Sequence, residues 1–187
     1  MNQEDKKELL KLARDSISFY FTHDPKFMDD ELEKKYSEKR GVFVTLKKDG
    51  NLRGCIGLIE PIKTLYDAIV ETAQSAAFKD MRFMPLEKEE LEEIKIEISI
   101  LSPLKIIEVD DPEEYTKNIE LGKHGLLIDS PDGRKGLLLP QVPVEWNWDV
   151  KEFLENLCEK ANLPKDAWTD RRNIIYSFEC EVFGEEL

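Results

Sequence analysis

Apolar residues recur at helical spacing in three stretches of the chain. These stretches cover residues 3–21, 64–78 and 149–161, and in each the apolar positions gather on one side of a helix. The first stretch begins with Asn2 and Asp5, three residues apart, as in a capping box. The pattern therefore predicts three amphipathic helices, and the small residues on the apolar side of the second favour close packing on a sheet.

Elsewhere the apolar residues alternate with polar ones, which is the pattern of strands with one buried face. Residues 41–59 and 124–142 each contain two β-rich runs around an Asp-Gly dipeptide, the sequence signal of a β-hairpin. Single alternating runs cover residues 94–101 (IKIEISIL) and 174–183 (IIYSFECEVF), and residues 104–109 are a candidate extension of the former. We therefore predict two hairpins, each followed by a helix and a further strand.

The order strand, strand, helix, strand occurs twice, in halves of about residues 41–109 and 119–183. In both halves the Asp-Gly dipeptide precedes an arginine, a second glycine and an apolar run that ends near a proline. We infer that a ββαβ unit has been duplicated. The predicted fold class is α+β, a single domain of residues 1–187 with antiparallel sheets and helices packed on them. A ligand-binding cleft is expected between the two halves.

Composition narrows the functional classes. The 40 acidic and 27 basic residues give a net charge of -13, which opposes attraction to phosphate backbones, so bulk nucleic-acid binding is not expected. No apolar stretch approaches the roughly 20 residues that a membrane span requires, and we predict a cytoplasmic protein without a membrane segment. The cysteines, Cys55, Cys158 and Cys180, show no CxxC spacing, so neither a disulfide framework nor a metal site is predicted.

The segment RGCIG in the first hairpin holds a cysteine between two glycines. In a regular strand Arg53, Cys55 and Gly57 share one face, and a neighbouring guanidinium stabilises thiolate, the reactive form of cysteine. A two-residue turn, however, pairs Val44 with Cys55 and places the thiol on an apolar face. A bulge next to Gly54 or Gly57 would break this register and redirect the side chain. Three alternatives stay open: a structural thiol, a ligand site using Arg53 and the glycine N–H groups, and a nucleophile.

Two further segments carry candidate chemistry. His124, in GKHGLL, lies at the start of a predicted strand and is either a structural histidine or the base that pairs with Cys55. Asp80 and Arg82, in the loop KDMRFMP, form either a structural ion pair or helix cap, or a contact to substrate.

Polar side chains beside tryptophans follow the second hairpin. Gln141 and Glu145, in LLPQVPVEWNW, are candidates to line a pocket beside Trp146 and Trp148, which are alternatively core anchors, the role expected of Trp168. The sequence contains no Walker loop, GxSxG, HExxH or dinucleotide fingerprint, so the common phosphate-binding, hydrolase and zinc classes are not predicted.

Six segments together resemble the AMMECR family, proteins like component A of the AmmeMemoRadiSam system: LRGCIG, KDMRFMPL, IEISILSPL, GKHGLLI, LLLPQVPVEWNW and FLENLCEKANLPKDAW. They run in order through residues 41 to about 180. The resemblance implies an α+β fold of two interlocked subdomains and supplies no established reaction. It also implies a modification pathway shared with a Memo-like protein and a radical S-adenosylmethionine enzyme, and RNA modification is a role proposed for the family.

The resemblance also assigns residues by position. The family motif covers residues 52–57, and the other matched segments contribute Arg82, His124, Pro140, Gln141 and Glu145. Leu58 stands where the family commonly has a hydroxyl-bearing residue, so a catalytic hydroxyl is not expected there. Asn162 replaces the usual glycine after the last long helix and equally fits a left-handed cap.

Two functional hypotheses and one structural hypothesis follow. In the first, a cleft binds a small ligand or nucleotide; its candidate catalytic residues are Cys55 and His124, and its candidate ligand-binding residues are Arg53, Gly54, Gly57, Arg82, Gln141 and Glu145. In the second, the protein is a non-enzymatic adaptor that presents this surface to a protein partner. In the third, RGCIG is a folding device only.

Overall fold

The chain divides into two units in the computed structural model, which describes residues 1–185. Of the described residues, the first unit contains 1–101 and 181–185, and the second contains 102–180. Each unit has a four-stranded antiparallel sheet with helices packed on it. The predicted α+β class is therefore confirmed.

The helices and strands of residues 1–185 are numbered along the chain. The helices are α1 (Gln3–Thr22), α2 (Asp30–Lys35), α3 (Leu65–Phe78), α4 (Tyr115–Asn118), α5 (Val142–Glu145) and α6 (Val150–Lys160). The strands are β1 (Val42–Lys48), β2 (Asn51–Leu58), β3 (Ile94–Leu101), β4 (Lys105–Ile106), β5 (Gly125–Asp129), β6 (Lys135–Leu138), β7 (Ile174–Phe178) and β8 (Cys180–Gly184). Short 3-10 helices lie at Lys88–Glu92, Pro112–Glu114 and Ala167–Thr169.

The three predicted helices form, as α1, α3 and α6, with the ends that the sequence signals. At the start of α1 the Asn2 side chain accepts a hydrogen bond from the Asp5 N–H (2.8 Å), and the Asp5 carboxylate accepts one from the Asn2 N–H (3.3 Å), which is the predicted capping box. After α6, Asn162 has a φ of 55°, the left-handed conformation predicted for it. Within residues 1–185 every helix lacks the combination of length and apolar character that crossing a membrane would need.

Both predicted hairpins form, with different loops. In the first, Asp49 and Gly50 have φ angles of 52° and 77°, the left-handed values of a two-residue type I′ turn. In the second, the Ser130 N–H donates to the Arg134 carbonyl (2.9 Å) and the Gly133 N–H donates to the Ser130 carbonyl (2.8 Å). With Gly133 at a φ of 84°, this is a three-residue loop that ends in a left-handed glycine.

The first sheet has the strand order β2-β1-β3-β8, and one face of it forms the core of the first unit. On this inner face lie Val42, Val44 and Leu46 of β1 and the alternate isoleucines of β3, each no more than 1% exposed. Helices α1 and α3 pack on the same core. The opposite side of the sheet, called the outer face below, carries Thr45 and Lys47 of β1 and Lys95 and Glu97 of β3.

The second sheet has the order β4-β7-β5-β6, and α6 packs on it. Leu126 and Ile128 of β5 belong to the same buried cluster as Phe153 and Leu157 of α6. Trp168 is also part of this cluster and is 5% exposed, which confirms its predicted role as a core anchor.

The predicted extension of β3 by residues 104–109 is wrong. Strand β4 pairs with β7 in the second sheet instead, because Pro103 has no N–H to continue the ladder of β3. The predicted strand over residues 174–183 is likewise divided at Glu179, with β7 in the second sheet and β8 in the first. At these two junctions the Ser102 N–H donates to the Glu179 carbonyl (2.8 Å), and the Glu179 N–H donates to the Ser102 hydroxyl (2.9 Å). Strand β4 follows β3 of the first sheet in sequence but belongs to the second sheet. Strand β8 follows β7 of the second sheet but belongs to the first.

The two sheets share one connectivity in their first three strands. The orders are β2-β1-β3 and β6-β5-β7, so in both the earliest strand lies between the other two. A helix, α3 or α6, connects the second strand to the third and packs on the sheet. This is the arrangement that a repeated ββαβ unit predicts, and the duplication stays an inference from sequence and topology.

Candidate functional site at the first hairpin

A β-bulge interrupts the strand that carries RGCIG. Lys47 of β1 pairs with Leu52 of β2, whereas Leu46 pairs with Gly54, so Arg53 is an extra residue without a partner on β1. The regular register expected from the two-residue turn is therefore wrong. The alternative in which a bulge next to Gly54 breaks that register is the one observed.

The bulge determines which way Cys55 faces. Cys55 pairs with Thr45, while Val44 of the inner face pairs with Ile56. Because paired residues lie on the same face of a sheet, Cys55 lies on the outer face, away from the core. The bulge also breaks the regular alternation from which the shared face of Arg53 and Cys55 was expected, so that shared face stays a prediction.

The thiol of Cys55 is half-buried and has a hydroxyl beside it. The Thr45 hydroxyl donates a hydrogen bond to Sγ at 3.2 Å. A hydroxyl that donates to sulfur can steady a developing negative charge there, but it does not remove the thiol proton. In residues 1–185 Thr45 is the side chain for which a hydrogen bond to this sulfur is found.

The ion pair of Asp80 and Arg82 forms hydrogen bonds with the Cys55 backbone along the free edge of β2. Strand β2 lies at the edge of its sheet, and the Cys55 N–H donates to Oδ2 of Asp80 (2.9 Å) while Nη2 of Arg82 donates to the Cys55 carbonyl (3.1 Å). Arg82 also donates to both carboxylate oxygens of Asp80 at 2.9 Å and 2.7 Å. The predicted ion pair is therefore present, and at Cys55 it takes the place of a neighbouring strand.

The two charges of this pair differ in exposure. The Asp80 side chain is 5% exposed, and the guanidinium of Arg82 holds the pKa of its carboxyl well below the usual range. The Arg82 side chain is 56% exposed, so its far side is open to a ligand. Arg82 thus combines a structural contact with an accessible positive charge.

Arg53 is occupied by a different carboxylate. Its Nε and Nη2 donate to the two oxygens of Glu90 at 3.0 Å and 2.8 Å, and its Nη1 donates to the Met84 carbonyl (3.0 Å). This guanidinium lowers the pKa of Glu90 to about 2. Since its donors serve Glu90 and the loop after α3, Arg53 anchors the bulge and is not placed beside the thiol.

Packing accounts for both glycines of the motif. A Cβ at Gly54 would overlap the carbonyl oxygen of Ala76 in α3, and a Cβ at Gly57 would overlap the ring of Phe43. Gly54 therefore lets helix and strand backbones approach closely. The ligand contact predicted for these glycines stays a prediction.

The remaining predicted residues lie in the second unit. His124 is half-buried, and its Nδ1 accepts a hydrogen bond from the Glu120 N–H (3.1 Å). A neutral imidazole that accepts at Nδ1 carries its proton on Nε2, so in this state Nε2 is a donor and not a base. The pairing of His124 with Cys55 stays a prediction.

Gln141 precedes the short helix α5, and Glu145 is its last residue. The Gln141 carbonyl accepts from the Glu145 N–H (3.0 Å), and the Glu145 side chain is exposed. Trp146 is 69% exposed and stacks on Trp148, with ring centroids 6.2 Å apart. Trp146 is therefore a surface residue.

The turn before His124 lies against this helix. A Cβ at Gly122 would be 3.2 Å from the Val144 side chain, so the two segments are in contact. The second unit thus brings together the segments of His124 and of Gln141 to Glu145, while the first brings together Arg53, Gly54, Cys55, Gly57 and Arg82.

Of the other two cysteines, Cys158 is buried and Cys180 is half-buried. Burial raises the pKa of Cys158 in α6 to about 11 and that of Cys180 in β8 to about 12. All three thiols are free. Cys158 and Cys180 therefore serve as internal references for the reactivity of Cys55.

Thr45 and Glu90 were not predicted from the sequence, and Asp80 was predicted only as the partner of Arg82. Thr45 could have been found by drawing the hairpin with a bulge, since that register pairs it with Cys55. Asp80 had a signal in its spacing from Arg82. Glu90 had none, because nothing local links it to Arg53, 37 residues earlier.

The Asp80 and Arg82 pair is one of three similar turns. Asp132 with Arg134 and Asp170 with Arg172 show the same bonds, in which the arginine N–H and guanidinium both donate to the aspartate. The Asp-x-Arg pattern is therefore a recurring local turn in this chain. The first copy differs because its carboxylate is buried and binds a strand.

Comparisons with known proteins agree with the motifs. The family model described as AMMECR1 matches residues 10–183. The protein MK0488 of Methanopyrus kandleri is 51% identical over 186 residues, covering 98% of this chain and 89% of its own length. A protein of Methanothermobacter thermautotrophicus is 43% identical over 187 residues, covering 100% of this chain and 97% of its own length.

A solved structure shows the same fold. The crystal structure of the uncharacterized protein PH0010 from Pyrococcus horikoshii aligns with a TM-score of 0.88 and 39% sequence identity. The alignment covers 100% of this chain and 94% of that one. Both sheets and their helices are therefore shared with that protein.

Proposed function

Because the chain belongs to the AMMECR1 family, and carries that family's LRGCIG segment on an edge hairpin, we propose that it is a ligand-binding protein whose site is the outer face around Cys55. The single observation that supports this proposal is the bulge at Arg53. It moves Cys55 from the buried face to the outer face, next to the Thr45 hydroxyl and the open side of Arg82.

The surroundings of Cys55 favour an anionic or polarised ligand. Arg82 and Arg53 are both paired with a carboxylate, but the Arg82 side chain is 56% exposed and that of Arg53 is 16% exposed, so Arg82, with the Thr45 hydroxyl, is the arginine open to a ligand. The ligand class that fits is a small molecule or nucleotide with an acidic group. For His124, Gln141 and Glu145, which lie in the second unit, a ligand contact stays a prediction.

In our proposal the thiol is also the reactive group. Sγ forms a bond to an electrophilic carbon of the ligand, the leaving group departs with the electron pair, and the thiol proton passes to solvent. Thr45 steadies the charge on sulfur during this step. The family resemblance, and not this geometry, supports placing the reaction in a modification pathway, of RNA or another substrate, with a Memo-like protein and a radical S-adenosylmethionine enzyme.

Thiol alkylation tests the proposal within a single chain. The native protein is treated with iodoacetamide at pH 8, and the modification of each cysteine is followed by peptide mass spectrometry. We expect Cys55 to react at least about tenfold faster than Cys158 and Cys180, because burial keeps the latter two thiols protonated. A panel of mononucleotides, added one at a time, should include one that slows alkylation of Cys55 alone.

Two variants distinguish the effect of the Thr45 hydroxyl on Cys55 from the effect of solvent exposure of the thiol. Thr45→Val keeps the shape and removes the donor, so Cys55 should react more slowly, whereas Thr45→Ser should react like the natural protein. If Cys55 in the folded protein reacts no faster than Cys158, the outer face is closed and the proposal is wrong.

A second candidate function, a non-enzymatic adaptor, has its own observation. Met81 and Met84, in the loop that contacts Cys55 and Arg53, are 99% and 80% exposed, and exposed methionines are common on adaptable protein-binding surfaces. Calorimetry with purified Memo-like protein and radical enzyme distinguishes the two functions. An adaptor should bind normally after Cys55→Ser and weakly after Met81→Ser with Met84→Ser, whereas loss of binding with Cys55→Ser alone would contradict it.

A further inference from the structure

A groove runs along the solvent side of α3 in the first unit, on the far side of the helix from the sheet. One part of it, about 570 Å³, is lined mainly by Phe19, Tyr20 and Phe78, and a second part, about 700 Å³, by Ile62 and Val70 among others. Gln74 and Lys79 line both parts, so they form one continuous trough, called the α3 trough below.

Aromatic rings form an exposed floor at one end of the α3 trough. Tyr20 stacks on Phe78 with centroids 4.1 Å apart and planes 24° apart, and Phe21 meets the same ring edge-on at 5.6 Å. Even so, Tyr20 remains 61% exposed, and Ile62 at the other end is 60% exposed. Large apolar side chains left open in a connected groove mark an interaction surface more often than scattered ones do.

The charged side chains that line the α3 trough include three lysines, at positions 39, 63 and 79, and two carboxylates, Asp67 and Glu71. Lys63 pairs with Glu71, and Asp67 accepts a hydrogen bond from the Thr64 hydroxyl. Lys39 and Lys79 are exposed, and no ion pair is found for either within residues 1–185. In a chain with a net charge of -13, this leaves an apolar groove with unpaired cations at its edges.

We propose that the α3 trough binds a short acidic segment of a partner protein, anchored by an aromatic or large aliphatic side chain. The anchor occupies the Phe19, Tyr20 and Phe78 end, and the carboxylates lie against Lys79 and Lys39. The 14 residues of α3 span about 21 Å, a length that about six extended residues or a helix of about four turns would cover.

Charge also selects a peptide over a nucleic acid. A nucleic-acid strand carries a phosphate at every nucleotide, so some of its charges would lie against Asp67 and Glu71 on the rim. A peptide carries its few charges on side chains and can place them only at the lysines.

The α3 trough is independent of the site around Cys55. The inner side of α3 faces Gly54, and Cys55 lies on the opposite face of that sheet. A ligand at Cys55 therefore leaves the α3 trough open, and the two proposals can fail separately.

Three synthetic ten-residue peptides test the inference with the full chain. The first contains five acidic residues with one tryptophan and one leucine, the second has serine in place of both apolar residues, and the third has lysine in place of every acid. Binding is measured by fluorescence anisotropy and by amide shifts in 15N-labelled protein. We expect only the first peptide to bind, with shifts at Tyr20, Gln74 and Phe78.

Variants assign the binding to the α3 trough. Lys79→Glu and Tyr20→Ser should each weaken binding of the first peptide by about tenfold, while Lys34→Glu, an exposed lysine on α2, should leave it unchanged. Circular dichroism and the melting temperature check that each variant folds. Since both changed residues are exposed, loss of the fold is not the expected cause of weaker binding.

Several outcomes would overturn the inference. Equal binding of the acidic and basic peptides, or shifts confined to the Cys55 face, would show that the α3 trough is not the site. Tighter binding of an eight-nucleotide single strand would assign it to nucleic acid, and a sedimentation dimer abolished by Tyr20→Ser would assign it to a second copy of this chain.

Discussion

The two hairpins of this protein have the same number of residues between matching positions, yet they differ in shape. In the first, seven residues lie between the core residue Leu46 and Gly54, its partner on the return strand; in the second, seven lie between Ile128 and Gly136. Leu46 and Ile128 are both fully buried. Both glycines face the backbone of the helix that follows, α3 or α6.

The two hairpins differ in the position of one residue beyond those of a two-residue turn with regularly paired strands. The second hairpin places it in a three-residue loop that ends at Gly133, and its strands pair without interruption. The first has a two-residue turn and places the extra residue inside the strand, at Arg53. Packing of the core therefore fixes seven residues between the buried strand residue and its paired glycine. The sequence near the turn determines whether the extra residue lies in the loop or in the strand.

The positions that follow the two glycines show what the scaffold leaves free. Leu137 pairs with Leu127 in the second hairpin, and both are buried. Cys55 pairs with Thr45 in the first, where the thiol is half-buried. The same hairpin position thus holds an apolar pair in the second unit and a thiol paired with a hydroxyl in the first unit. For this reason we propose the reactive site in the first unit.

The largest loss of stability is expected from substituting the glycine that both hairpins place against a helix backbone. In Gly54→Ala the new methyl overlaps the Ala76 carbonyl, and in Gly136→Ala it lies 2.7 Å from the Leu157 carbonyl. Because helix backbone cannot rotate away, each change should lower the free energy of unfolding by about 3 kcal/mol or more in urea titrations. Gly184→Ala, whose methyl would lie 3.3 Å from the Ile96 carbonyl, is the control and should cost about 1 kcal/mol or less. A similar loss in all three would contradict the close-approach argument.

The next effect concerns the anchor of the bulge. Folding lowers the pKa of Glu90 from 4.5 to about 2, so its carboxylate stabilises the fold fully above pH 4.5 and loses that effect as the pH falls through 2. Glu90→Gln should therefore cost about 2 to 3 kcal/mol at pH 7 and little at pH 2. Glu97→Gln removes the more exposed pair with Lys47 and should cost about 1 kcal/mol or less at either pH. A loss from Glu90→Gln that does not vary with pH would show that the ion pair is not its source.

A smaller effect is expected when the two loops are exchanged. Replacing residues 47–53 (KKDGNLR) by the seven residues 129–135 (DSPDGRK) keeps the spacing between Leu46 and Gly54. In a Glu90→Gln background, which already lacks the anchor, the graft should cost no more than about 1 kcal/mol. Cys55 should then be alkylated at a rate within about threefold of that background, because its face is unchanged. Protection of Cys55 would show that an extra residue in the turn cannot replace the extra residue at Arg53 in keeping the thiol on the outer face.

The smallest effect should come from the exposed copy of the Asp-x-Arg turn. Arg134 lowers the pKa of Asp132 to about 2, yet Asp132 has no strand to hold, and solvent screens the pair. Asp132→Asn should shift the melting temperature by no more than about 1 °C. Asp80→Asn removes a buried carboxylate that binds the Cys55 N–H and should shift it several times further. Equal shifts would mean that burial does not distinguish the two turns.

Periodicity was enough for most of the fold. Helix ends at Asn2 and Asn162, both Asp-Gly hairpins and the repeated order of elements could be predicted because each depends on neighbours a few residues apart. The exchange of β4 and β8 could not, since two short alternating runs fit either sheet equally well.

The candidate site was harder to predict because its contacts are long-range. A free residue inside a strand has no reliable sequence signal, so the bulge at Arg53 could be named only as an alternative. Glu90 and Asp80 reach the hairpin from the loops that follow α3, and their role depends on tertiary packing. The family motif pointed to Cys55, whereas only the register showed which face it occupies.

The exchange of strands also has a consequence for biosynthesis. Residues 1–101 emerge from the ribosome first, yet their sheet gains β8 only after roughly 80 further residues, about 4 to 16 seconds at typical rates of synthesis. During that interval β3, with four isoleucines on one face, has an unpaired edge that could recruit another nascent chain. Lys95 and Glu97 on its other face oppose such pairing because charged side chains disfavour aggregation. Until β8 is synthesised, these charges protect the first unit from pairing with another chain.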